Sequence, residues 1–305
     1  MDTIQKSLLE KLTDLHEIPE GAYNIRANGS LGARNTTANI DIVSKQDKDG
    51  IDIIIKPNTK NESVHIPVII SKTGIDDLVY NDFYIGENAD VTIVAGCGIH
   101  NTGDKKSSHD GIHTFHVGKN AKIKYVERHY GQGEGTGENV MNPTTIIEID
   151  DGGYMEMETT QIKGIDSTIR VTSAKLGAES KLVIRESLMT HGKQYAKTDF
   201  TVDLNGENSS ANVISRSVAK DESYQVFYSN IRGNNKCAGH TECDAIIMDK
   251  ARVSAIPEIS ANHIDASLIH EAAIGKIAGE QLMKLMTLGL TEQEAEEQIV
   301  NGFLK

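Results

Sequence analysis

Gly86-Glu87-Asn88-Ala89-Asp90-Val91-Thr92-Ile93 and Gly118-Lys119-Asn120-Ala121-Lys122-Ile123-Lys124-Tyr125 repeat one phrase, a small polar turn followed by alternating apolar residues. Weaker copies begin at Asp151-Gly152-Gly153, Gly177-Ala178-Glu179 and Gly206-Glu207-Asn208. The turn residues Asn88, Asn120, Gly152, Glu179 and Asn208 stand 32, 32, 27 and 29 residues apart. Gly and Asn supply the left-handed backbone that tight corners need, and period-2 alternation turns every second side chain inward. Regular spacing of this kind predicts the coils of a β-solenoid, each burying its face on the next. The same alternation also fits an antiparallel sandwich closed by hairpins.

The composition favours the solenoid. Only 5% of the 305 residues are aromatic, Trp is absent, and Gly occurs 27 times. Stacked small and branched side chains suit such a chain better than a core of large rings. A net charge of −13 leaves no basic field for phosphate, which argues against a nucleic-acid partner. Three cysteines, Cys97, Cys237 and Cys243, are an odd number and too few to staple a secreted scaffold. No apolar run approaches the roughly 20 residues of a membrane span, and no signal peptide is evident at the start. A cytoplasmic protein with reduced thiols is expected.

Helical patterning is confined to the ends. Ile4, Leu8, Leu12 and Leu15 share one helical stripe, and Pro19-Glu20-Gly21 ends it. After Ile277 the period is helical again: Leu282, Leu285, Met286 and Leu288 make an apolar face with Gly289 as its stop. Thr291-Glu292-Gln293-Glu294 reads as a capping box opening a last helix that Gly302 closes. The domains expected are an N-terminal helix over 1–20, a β core over 21–260, and a C-terminal segment with two helices over 261–305.

Several clusters carry soft or titratable ligands. Cys237-Ala238-Gly239-His240-Thr241-Glu242-Cys243 reads C-x2-H-x2-C, and thiolates with an imidazole suit iron-sulfur or other soft-metal chemistry. The three converge if the backbone turns at Ala238-Gly239. Otherwise Cys243 packs as a small hydrophobe in a strand. His270 and Glu271 are adjacent, so they reach one centre only where a strand turns. Cys97 precedes His100, His109, His113 and His116. His113 and His116 are close in sequence and the segment could bind a divalent metal, but with no carboxylate or thiolate fixed beside them it reads as a mobile loop of neutral imidazoles. Gly131-Gln132-Gly133-Glu134-Gly135-Thr136-Gly137 alternates its glycines without the spacing of a phosphate loop, and predicts a flexible loop. With no nucleotide site of its own, the chain depends on a partner for any ATP chemistry.

The last fifty residues resemble the C-terminal signature of the SufB/SufD family, the scaffold proteins of iron-sulfur cluster assembly. The matching elements are Pro257-Glu258-Ile259, His270-Glu271-Ala272, Gly275-Lys276-Ile277, Glu280-Gln281-Leu282, Leu285-Met286, Leu288-Gly289-Leu290 and Ile299-Val300-Asn301-Gly302-Phe303. Glu242-Cys243-Asp244-Ala245 and Met248-Asp249 lean toward SufB. The resemblance is strong over about 206–305 and diffuse over 75–205. It implies a right-handed parallel β-helix core, a transient iron-sulfur cluster, and a homodimer formed through the β-helix. It further implies an ABC-type ATPase of the SufC kind docked on the C-terminal helices, whose motion strains the dimer and opens the ligand pocket. A sulfur donor and acceptor apoproteins complete the implied partners. Cys237, His240, Cys243, His270 and Glu271 are the expected metal or cluster ligands. One SufB subgroup carries a further cysteine just after the Asp-Lys matched by Asp249-Lys250, where this chain has Ala251. That departure leaves open a cluster-free architectural subunit of the SufD kind. A β-helix enzyme acting on carbohydrate or acyl groups finds no ladder of aromatic or Arg residues to support it.

Overall fold

A computed structural model describes residues 3–13, 19 and 21–304. Leu15 and Glu20, read as part of the first helix and its stop, lie outside the described residues. Helix α1 (Thr3–Thr13) leads into β1 (Ala22–Ala27), β2 (Ser30–Asn35), β3 (Ile40–Ser44), β4 (Gly50–Ile55), β5 (Lys60–Ile70), β6 (Asp76–Ile85) and β7 (Asp90–His100). Next come β8 (Ser107–Val117), β9 (Lys122–Gln132), β10 (Asn139–Met141), β11 (Thr144–Ile149), β12 (Tyr154–Lys163), β13 (Ser167–Leu176) and β14 (Lys181–Thr190). The last strands are β15 (Tyr195–Leu204), β16 (Ser209–Ala219), β17 (Tyr224–Gly233), β18 (Cys237–Ile247), β19 (Arg252–Ala261) and β20 (Ala266–Gly275), before α2 (Gly279–Thr287) and α3 (Glu292–Phe303).

From β5 onward the chain alternates between two parallel sheets. One runs β2-β1-β5-β7-β9-β12-β14-β16-β18-β20, and the other runs β19-β17-β15-β13-β10-β8-β6-β4-β3, with β11 between β8 and β13. The result is a β-solenoid of about eight turns, and the sandwich alternative falls because sequential strands are not paired as hairpins here. Among the described residues antiparallel pairing is confined to one end, where β2 pairs with β1 and β3 with β4.

The corners sit where the repeat placed them. Asn88, Asn120, Gly152, Glu179 and Asn208 have φ of 57°, 54°, 70°, 55° and 57°. At each corner the N–H donates to the following coil: Asn88 to Lys119 O at 2.9 Å, Asn120 to Asp151 O at 3.1 Å, and Asn208 to Lys236 O at 2.7 Å. Corner geometry therefore also supplies hydrogen bonds along the solenoid axis. Inward residues stack rung on rung, as in Phe83 against Phe115 with ring centroids 4.3 Å apart. Val91, Ile123, Met155, Leu182 and Ala211 form another fully buried row.

The segment read as a flexible glycine loop is stacked instead. The Gly135 N–H donates to Asn101 O at 3.1 Å and the Gly137 N–H to Gly103 O at 3.0 Å. A Cβ on Gly137 would collide with the Lys105 backbone, so the alternate glycines serve close backbone approach.

Helix α1 covers the outer face of β5, β7 and β9 with buried Leu8, Leu9 and Leu12. At the other end Thr291 and Glu294 make the reciprocal capping box, and Gly289 takes φ 97° after α2. Gly302 does not close α3; the helix runs through it to Phe303 and caps at Leu304. Val300 and Leu304 pack on Val218 and Met248, and Ser187 Oγ donates to Leu304 O at 2.9 Å. Helix α2 buries no residue, leaving Met283, Met286 and Leu288 exposed at 60%, 43% and 80%.

Candidate functional site

Strand β18 carries the C-x2-H-x2-C run without a turn, so parity decides where each ligand points. Cys237, Thr241 and Cys243 face the solenoid interior and are buried, while His240, Glu242 and Asp244 face outward. Six residue steps along the strand lead from Cys237 to Cys243, about 20 Å along its axis. The structure therefore does not bring the two thiols to one centre within the chain. Strand β20 is equally straight: His270 lies beside Thr241 and Glu271 beside Glu242. Thr241 Oγ1 and His270 Nδ1 are 2.5 Å apart on the inner side. Outside, His240 Nε2 lies 3.7 Å from Glu271 Oε2, and its Nδ1 contacts Asn212 Oδ1 at 3.0 Å. The five expected ligands thus divide into an inner set (Cys237, Cys243, His270) and an outer set (His240, Glu271). No group of three or more His, Cys, Asp or Glu side chains among the described residues is arranged to hold a metal ion.

Cys243 stands in an inner column that the sequence did not reveal. In register along the sheet, Glu127, Thr159, Glu186, Ser215 and Cys243 occupy successive rungs. Glu186 accepts from Ser215 Oγ at 2.7 Å and Thr198 Oγ1 at 2.9 Å. Arg170, reaching in from the facing sheet, pairs with Glu127 and lies 3.7 Å from Glu186. Burial, then the charges of Glu186 and Asp244, push the Cys243 thiol up to about 12. Burial also raises the Cys237 thiol, and it lowers His270 with help from His240. At neutral pH Cys243 is a protonated thiol that gives up its proton when a metal takes it.

Towards the antiparallel end the polar column continues. Burial pushes Glu127 up, but Arg170, His129 and His113 outweigh it and hold the carboxylate well below its usual range. Asp77, likewise buried, is brought to about 2 by hydrogen bonds from His109 and Arg26. Of the histidines read as a mobile loop, His100 ends β7 and the other three belong to β8, where His109 and His113 are 6% exposed inward residues. Burial drives His113 and His129 down to about 4, so both are neutral. The signal missed in the sequence was polar residues at inward parity, Glu127 after Tyr125 and Glu186 after Ile184.

The open end of the solenoid lies one rung beyond Cys243. Strand β20 ends one sheet and β19 the other, and no described strand pairs with their free edges. Apolar side chains are exposed there, among them Ile256 at 47%, Ile259 at 41% and Ile269 at 52%.

The profile of the SUF system FeS cluster assembly, SufBD core domain, matches residues 80–303. An iron-sulfur cluster assembly SufBD family protein of Methanocaldococcus jannaschii is 30% identical over 270 residues, covering 86% of this chain and 84% of that protein. One from Methanothermobacter thermautotrophicus (strain Delta H) is 34% identical over 224 residues, 72% of this chain but 53% of that protein, so this chain spans about half of it. Another from Archaeoglobus fulgidus is 29% identical over 264 residues, 85% of this chain and 69% of that protein. With a SufBD core profile spanning most of the solenoid and both C-terminal helices, the chain belongs to the SufB/SufD family of iron-sulfur cluster assembly proteins.

Proposed function

We propose that this chain is a scaffold on which a nascent iron-sulfur cluster is held by Cys243, with His270 as a second inner-face ligand. The observation that carries the reading is their position. They lie on neighbouring strands at the open end, on the inner face, where soft ligands are shielded from water yet one rung from an unpaired edge. A single copy offers too few ligands there. Two copies joined edge to edge through β19 and β20 bring two such sets together, which fits a homodimer formed through the β-helix. Cys237 is too far along the strand to share that centre. His240 and Glu271 form a separate outer donor pair, suited to a harder ferrous ion before it moves inward.

Partners follow from the same reading. The exposed Met283 and Met286 of α2, with Leu288 at its C-cap, form an adaptable apolar surface, and this is the surface proposed for an ABC-type ATPase subunit. The scaffold itself catalyses no bond change: ATP hydrolysis comes from that partner, sulfur from a donor protein, and acceptor apoproteins take the cluster in the cytoplasm. No described helix is long and apolar enough to cross a membrane.

Anaerobic reconstitution with iron and sulfide tests the reading. The wild type should develop a cluster chromophore, Cys243→Ser should lose it, and Cys237→Ser should keep it. A Cys243→Ser protein with full iron and sulfide content moves the cluster elsewhere. A wild type that binds none, yet still associates with the ATPase, supports the architectural subunit instead.

A further inference from the structure

A second feature lies inside the solenoid, far from Cys243. His109, Gly111 and His113 are consecutive inward positions of β8. With no side chain on Gly111, the two imidazoles lean over it from either side. A Cβ at Gly111 would stand 3.2 Å from His109 Nε2 and 3.1 Å from His113 Nε2. The space left is a void of about 10 Å³, room for one water-sized particle.

The hydrogen bonds fix what the two nitrogens present. His109 Nδ1 lies 3.1 Å from the Asp77 carboxylate, so it carries the proton and donates. Tyr125 donates its single hydroxyl proton to Glu127 at 3.0 Å, so its oxygen accepts from His113 Nδ1 at 2.8 Å. His113 Nε2 is therefore a lone pair facing the void, and His109 Nε2 faces the same void from the other side. His113 Nε2 accepts a long hydrogen bond from Asn81 Nδ2 at 3.3 Å, which a bound metal would displace. Imidazoles held at Nδ1 by a carboxylate, directly or through a hydroxyl, are oriented as metal-ligating histidines are.

The wall beside the void is also broken. Strand β10 pairs with β8 at Ser107–His109 and β11 resumes at Ile112, leaving Asp110 and Gly111 opposite Asn142 and Pro143. Pro143 has no N–H to continue the ladder and lines the void. Asp110, held by Asn142 Nδ2 at 3.1 Å, places a carboxylate at that gap.

We propose that His109 and His113 form an internal site for a single first-row transition-metal ion, reached through the Asn142–Pro143 break. Metal–nitrogen bonds of about 2.0–2.1 Å require each ring to close in by about 1 Å, and water or the Asn81 amide oxygen completes the coordination. The site is independent of the cluster reading at Cys243.

Cobalt(II) alone, added anaerobically to the full chain, reads the two sites separately. Cys243→Ser protein that also carries His240→Ala, so that the outer donor pair is absent, should bind one equivalent, with visible ligand-field bands and no thiolate-to-cobalt charge transfer. Gly111→Ala, which fills the void and keeps both histidines, should weaken that binding at least tenfold against a competing chelator while leaving the melting curve cooperative. His109→Ala with His113→Ala should abolish it. No stoichiometric uptake by that double variant means that the void holds water only and overturns the proposal. Equal uptake by the double variant with and without Gly111→Ala overturns it too, and neither result touches the Cys243 reading.

Discussion

At Cys243, burial and two nearby carboxylates act in one direction, and both consequences are measurable. A thiol pushed up to about 12 must release a proton as it binds metal, so cluster loading should rise with pH across the neutral range. Glu186→Gln removes one of the charges that raise it. Iodoacetamide labelling of Cys243 in that variant should titrate at lower pH than in the wild type; an unchanged profile would mean that Glu186 does not sense the thiol. His113 and His129 give a second effect of opposite kind. Each titrates near 4 in the fold against an ordinary 6.5, so between those values the unfolded chain binds more protons. Stability should therefore be complete above pH 6.5, fall as pH drops towards 4, and lose nothing further from these two groups below that. Asp77 adds a lower window: its contribution is present above 3.8 and lost as pH falls towards 2. Urea midpoints at a series of pH values check both windows, and a flat response between 6.5 and 4 would show that the imidazoles are not buried neutral.

Among the elements, the two C-terminal helices differ in what they contribute. Helix α3 is anchored by Val300 and Leu304, whereas α2 leaves its methionines exposed. Met283 and Met286 changed together to Gln should leave the melting temperature near the wild-type value and abolish co-purification with the ATPase subunit. Undiminished association would move the docking surface away from α2. Thr291→Ala removes the hydroxyl that accepts from the Glu294 N–H, while the N–H of residue 291 can still donate to Glu294; it should cost about 1 kcal/mol, seen as faster amide exchange at the start of α3. These helices were legible because capping and periodicity are local signals. The strands were legible for the same reason, since corner residues such as Asn120 declare themselves one at a time. The site was not. Whether His240 shares a centre with Cys237 and Cys243 depends on one bit, the parity of an offset of three along a straight strand. A C-x2-H-x2-C motif does not say whether it lies on a strand or a turn. Glu127 and Glu186 look like surface residues of an alternating strand until the register with Arg170 is known.

For the molecule as a whole, stability is distributed coil by coil, since each coil is buried mainly by its neighbours. Phe83→Ala should cost about 3–5 kcal/mol near the antiparallel end, while cluster content at Cys243, many rungs away, stays normal. Loss of the chromophore in that variant would show instead that the solenoid behaves as one cooperative block. The two ends of the solenoid are also unlike. At one, the short strands β2 and β3 turn back antiparallel; at the other, β19 and β20 stop with their edges bare. In the language of polymerisation, such a monomer has two unequal groups: long parallel edges at β19 and β20, and short ones of six and five residues at β2 and β3. A dimer of the proposed kind would consume the long pair, leaving only short edges, which are poor templates for further growth.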